Sequence, residues 1–119
     1  MAGDWIKVEE CTPGKTELRE AARLCGISRA EAFMAWFRLY CWLGNQTTDG
    51  WVPFMRPEDA DEESGVRTFG QAMAAVGWLT FSDKGCDVTN WDRHNSKAAK
   101  ERAMNTERTR RLRGKQAGV

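Results

Sequence analysis

Apolar residues Leu18, Ala21, Ala22 and Cys25 recur at three- and four-residue steps, the period of one face of an α-helix. Thr12 offers a capping hydroxyl, and Pro13 suits a first helical position, where a missing N–H costs nothing. A first helix is therefore expected over 13–25, stopped by Gly26 in a left-handed conformation. Upstream, Ile6 and Val8 alternate with charged residues, which predicts a short strand or extended arm over 4–10. Downstream, Ser28-Arg29-Ala30-Glu31 has the form of a capping box. Behind it Phe33, Trp36, Phe37, Tyr40 and Cys41 hold helical spacing, with Met34, Leu39 and Leu43 widening the stripe. So wide a stripe predicts a central helix packed on several sides, ended by Gly44.

Polar turn residues fill 45–50, and Trp51-Val52-Pro53-Phe54 reads as a short edge strand, because Pro53 cannot donate into a central ladder. Five acids, Glu58, Asp59, Asp61, Glu62 and Glu63, then precede Val66, Phe69, Met73 and Val76 at three- and four-residue steps. This predicts a third helix over about 66–76, with the acids at or before its positive end and Gly77 as its stop. Residues 78–81 and 86–91 read as strands joined by a turn at 82–85, where Gly85 is free to take positive φ. A basic helix is expected over 96–112, marginal on its own, with a disordered tail from Gly114. The fold class expected is mainly α with small β: a folded domain over 1–95, then a basic C-terminal helix and tail over 96–119.

Length and composition narrow the classes. A chain of 119 residues makes one domain. No apolar run approaches the ~20 residues of a membrane span, and no apolar leader follows a basic start, so a cytoplasmic protein without membrane contact is expected. Six Trp predict a core built on large aromatics, with Trp91 closing it and Trp42 and Trp51 partly exposed. Cys11, Cys25, Cys41 and Cys86 form no C-x-x-C pair and His94 is the only histidine, so free, mostly buried thiols are expected rather than a zinc site. No glycine-rich phosphate loop or hydrolase motif occurs, and the acidic run lacks the ligand spacing of a calcium loop. Neither catalysis, a metal nor a cofactor is expected.

The net charge of +1 hides an asymmetry. Residues 1–96 carry ten basic and fifteen acidic side chains, a net −5, whereas 97–119 carry eight basic and two acidic, a net +6. The basic set is Lys97, Lys100, Arg102, Arg108, Arg110, Arg111, Arg113 and Lys115, with Arg93 and His94 just ahead. Arginine outnumbers lysine in it, and the planar guanidinium fork suits phosphate. Such an arm gains affinity for a polyanion through counterion release, without base contacts. The competing reading is a solvated tail, or one that pairs with the acidic run at 58–63.

Three helices followed by a hairpin is the element order of a winged helix-turn-helix. Trp5-Ile6-Lys7, Thr12-Pro13, Leu24-Cys25-Gly26-Ile27-Ser28 and Asn45-Gln46-Thr47-Thr48-Asp49-Gly50 add landmarks in sequence. So do Val76-Gly77-Trp78-Leu79 and the run from Asn90-Trp91-Asp92-Arg93-His94 to Lys100. Over about 4–112 the chain resembles the N-terminal winged-helix modules of phage replication initiators and primosomal proteins of the DnaD and DnaT type. The resemblance implies replisome assembly in a bacterial or phage-infected host: binding DNA, single- or double-stranded, self-associating through the wing, or recruiting a replicative helicase or another primosome partner. Larger members of that group add a C-terminal helical domain that this sequence does not contain, so helicase loading by this chain alone is not expected. In this frame the third helix exposes Arg67, Thr68, Gln71 and Ala75, and the hairpin tip offers Lys84. The expected DNA contacts are Arg93, Lys97, Lys100, Arg102, Arg108, Arg110, Arg111 and Arg113, with Arg67 and Lys84 secondary. The alternative is a protein-interaction or oligomerisation module without intrinsic DNA binding.

Overall fold

The structure, a computed structural model, describes residues 6–91. It is mainly helical, with four α-helices and a small three-stranded antiparallel sheet among those residues. The expected basic helix over 96–112 and the tail lie outside them, as do residues 4 and 5.

Residues 6–9 carry no strand pairing, which leaves the extended-arm reading of this segment. A single 3-10 turn, Thr12–Gly14, precedes helix α1, Thr16–Cys25. Thr12 is thus not the cap of α1. It is buried, and its carbonyl accepts the Lys15 amide at 3.2 Å. Lys15, in an extended conformation (φ −64, ψ 138), separates the turn from the helix. Gly26 closes α1 at φ 68, and the Ile27 amide reaches back to the Ala22 carbonyl at 3.0 Å, the long bond of a Schellman close.

Helix α2, Arg29–Gln46, opens on the expected capping box. The Glu31 amide donates to Ser28 Oγ at 3.1 Å, and the Ser28 amide to Glu31 Oε1 at 3.3 Å. Its buried face is Ala32, Ala35, Trp36, Leu39, Tyr40, Leu43 and Gly44, with small residues toward both ends and large ones between. Phe37 and Met34, expected inside, are exposed on the opposite side. The expected stop at Gly44 is also overturned, since the helix runs through it to Gln46. Gly44 serves close packing instead, because a Cβ there would sit 2.8 Å from Ile6 Cγ2.

Strand β1, Trp51–Pro53, is an edge strand, as Pro53 predicts. The acidic run after it is a helix of its own, which overturns the single helix expected here. Helix α3, Pro57–Ser64, takes Pro57 in its first turn and ends at Gly65, φ 78; helix α4 follows at Phe69–Ala75. One carboxylate caps α3 and another joins it to α4. The Arg56 amide donates to Asp59 Oδ2 at 2.8 Å, and the Gly70 amide to Asp61 Oδ1 at 2.7 Å. Gly70 also lets α4 cross against Pro57, whose carbonyl oxygen a Cβ at that position would overlap.

Strands β2, Leu79–Phe81, and β3, Gly85–Val88, form the expected hairpin with shorter strands than the sequence suggests. The sheet order is β1-β3-β2, with Trp51 opposite Asp87 and Thr80 opposite Asp87 on the other side. Val52, Leu79, Cys86 and Val88 turn inward to a core shared with Leu18, Leu39, Leu43, Phe69, Met73 and Trp91. Trp91 is 2% exposed, in keeping with a core role. Of the four thiols, all free, only Cys86 is buried; Cys25 and Cys41 are half-buried and Cys11 is exposed. No helix among the described residues is long and apolar enough to cross a membrane.

Candidate nucleic-acid interface

Helices α3 and α4 meet at a turn over 65–68. Thr68 takes a left-handed φ of 64 there, and its hydroxyl donates to the Arg67 carbonyl at 2.6 Å. The same hydroxyl lies 3.7 Å from Cys25 Sγ, which ties the turn to the end of α1. Arg67, Thr68, Gln71 and Ala75 are exposed. Helix α4 itself carries no charged residue, so Arg67 supplies the only cation at this helix and its leading turn. Beside it, Asp59 and Asp61 are committed to backbone amides, while Glu58 and Glu62 face solvent.

Lys84 is exposed at the hairpin tip, and its carbonyl accepts the Phe54 amide at 2.8 Å. Phe54 is 84% exposed and Trp51 40%. Gly85 gives Trp51 room, since a Cβ there would stand 3.0 Å from Trp51 Cζ2. The free edge of β1 resists strand addition. Val88 donates to the Gly50 carbonyl and Phe54 to that of Lys84, so by alternation Trp51 and Pro53 turn their backbone groups outward. The Trp51 amide is taken by Asp49 Oδ1 at 3.0 Å, and Pro53 has none to give. The same bond, with the Thr47 hydroxyl behind it, holds the Asp49 carboxyl below the usual carboxylate range.

A cleft of ≈ 80 Å³ lies where the chain leaves the sheet, lined by Lys7, Thr12, Lys15, Trp36, Tyr40 and Trp78, with Glu9, Thr89 and Asn90. That is well under the ~300–1,000 Å³ of sites for drug-sized ligands. Trp36 and Tyr40 stack at 4.9 Å between centroids, and the Lys15 ammonium stands 5.8 Å from the Trp78 ring. Burial first, then the nearby Cys86, pushes the Tyr40 hydroxyl well above its ordinary value. The Trp91 indole N–H is buried without a hydrogen-bond partner among the described residues.

A second basic feature went unseen in the sequence. Arg19 and Arg23 of α1 and Arg29 at the start of α2 line one groove of ≈ 330 Å³, with Ala22 and Ile27 between them. No carboxylate lines it. Arg23 bonds Glu20 at 3.0 Å, on the side where a separate groove runs from α1 to Ala75 and Val76 at the end of α4. The available signal was the four-residue step from Arg19 to Arg23, followed across a tight turn by Arg29.

Of the residues expected to contact DNA, Arg67 and Lys84 are described, and they belong to different features: the α3–α4 turn and the hairpin tip. Arg93, Lys97, Lys100, Arg102, Arg108, Arg110, Arg111 and Arg113 lie outside the described residues. Compared with family models, with curated proteins and with solved structures, the chain finds no match.

Proposed function

We propose that this chain is a winged-helix DNA-binding module of the phage replication type, which grips the phosphate backbone mainly through its basic C-terminal arm. Helices α3 and α4 would form the helix-turn-helix pair, and the β2–β3 hairpin the wing. The order α2, β1, α3, α4, β2, β3 and the sheet order β1-β3-β2 support that assignment. The observation that carries the DNA reading is the charge division, −5 over 1–96 against +6 over 97–119. Helix α4 argues against base reading as the source of affinity, because it offers one neighbouring arginine and one exposed glutamine. Binding would therefore be steep in salt and weak in sequence preference.

Fluorescence anisotropy of the full chain with labelled duplex and single strands, over a series of salt concentrations, tests this. Five arm contacts to a duplex give a log–log salt slope near −4.5, at roughly 0.9 per phosphate. Replacing Arg108, Arg110, Arg111 and Arg113 by Gln should remove most of that slope. Absence of binding at low salt would sink the reading. A salt-sensitive oligomer formed without DNA would favour the second reading, a protein-interaction module, for which the acids of α3 and the exposed Phe54 speak.

A further inference from the structure

Between α1 and the start of α2, Arg19, Arg23 and Arg29 line a groove with no carboxylate in its lining; Arg19 and Arg23 also border the neighbouring groove that holds Glu17 and Glu20. Arg19 and Arg23 stand one turn apart on α1, and like charges at that spacing repel across the helix surface. Arg29 adds a third positive charge at the first position of α2. It stands where the helix dipole favours an anion. The fold brings these three cations to one groove on a body whose overall charge is negative. Only Arg23 has a counter-charge among the described residues, Glu20.

We infer that this groove is a phosphate-binding track for the nucleic-acid backbone, separate from the arm and from the outer face of α4. The inference rests on the DNA-binding reading above and locates a contact on the folded body. The chemistry fits phosphate, since guanidinium forks give paired hydrogen bonds to its oxygens and stay charged at any working pH. Ala22 and Ile27 supply an apolar floor against which the arginine stems pack. The planar forks and the lack of a carboxylate in the lining favour a phosphate backbone over an acidic protein helix such as α3 of another copy, whose binding is an outcome of the test below. The Thr68–Cys25 contact ties the α3–α4 turn to the end of α1, the helix that carries Arg19 and Arg23.

Arg19→Gln and Arg29→Gln, both at exposed positions without an ion pair among the described residues, test the track in the full chain. The probe is a short fluorescein-labelled duplex, titrated over several salt concentrations. The double variant should keep the wild-type thermal midpoint and lose about 1.8 of the log–log salt slope, two contacts at roughly 0.9 each. That loss should persist when the four arm arginines are already Gln. Duplex binding with an unchanged slope would overturn the track while leaving the DNA reading intact. No binding by the wild type at low salt would overturn both. Loss of a DNA-free oligomer in sedimentation, with duplex binding unchanged, would reassign the groove to an acidic protein partner.

Discussion

Gly70 shows how one hydrogen atom in place of a methyl sets the angle between two elements. Its amide bonds Asp61, and its α-carbon rests against the Pro57 backbone. Gly70→Ala would gain up to ~1 kcal/mol of helix propensity. It would lose more, because forcing a methyl into a filled contact costs about 1–3 kcal/mol and the amide bond to Asp61 would be displaced. A net loss of about 2 kcal/mol, read in denaturant unfolding, is expected for this variant; equal or greater stability would show that α3 and α4 can part without cost. Phe54 makes the opposite case. At φ 66 it holds a backbone conformation that costs an L-residue about 1–2 kcal/mol, and with 84% of it exposed, little packing repays that cost. Its amide bond to Lys84 fixes the position, and nothing in the fold explains why the side chain is aromatic.

The capping box of α2 is the feature where sequence and structure agree most closely. Both reciprocal bonds form, and the helix they open supplies six of the large and small residues of the core. Ser28→Ala should cost about 1 kcal/mol, seen as a lower midpoint with an unchanged denaturant slope; a changed slope would mean that α2 frays rather than shifts. Helix α3 is where reading from sequence failed. Its buried face is Ala60 and Ser64, residues too small to leave a hydrophobic stripe, so the five acids dominate and the segment reads as the lead-in to the helix over 66–76. Pro57, with Asp59 two residues on, was the local signal for a helix start. The failure on α2 has a different cause. Its apolar residues run almost around the helix, so periodicity alone could not say that Ala35 faces the core and Phe37 does not.

Two buried groups link the whole molecule to pH. Burial pushes the Cys86 thiol up to about 12 and raises the Tyr40 hydroxyl too. In the unfolded chain both ionise nearer their ordinary values, 9.0 and 10.0. Between those values and the folded ones the native state binds more protons, so stability must fall as pH rises. The expected profile is flat from neutral to about pH 9 as far as these groups are concerned, then declining by up to ~1.4 kcal/mol per pH unit for each group. Cys86→Ala should flatten part of that decline; an unchanged alkaline limb would assign it to other groups. The same neutral thiol predicts that Cys11 is alkylated first, and Cys86 only on unfolding.

Sequence alone determined what depends on neighbours in the chain: where α1 ends at Gly26, how α2 begins at Ser28, that Pro53 marks an edge strand, and that the positive charge collects after residue 96. These are set by backbone dihedrals, caps and composition, which act over a few residues. Tertiary structure decided what depends on distant segments meeting. It put Gly44 against Ile6 and Gly70 against Pro57, where the lack of a side chain permits contact instead of ending a helix. It also brought Arg29 to Arg19 and Arg23 across the α1–α2 turn. The basic arm is visible as a run of letters. The arginine groove exists only once two helices pack, because its charge is shared between faces that the sequence does not place side by side.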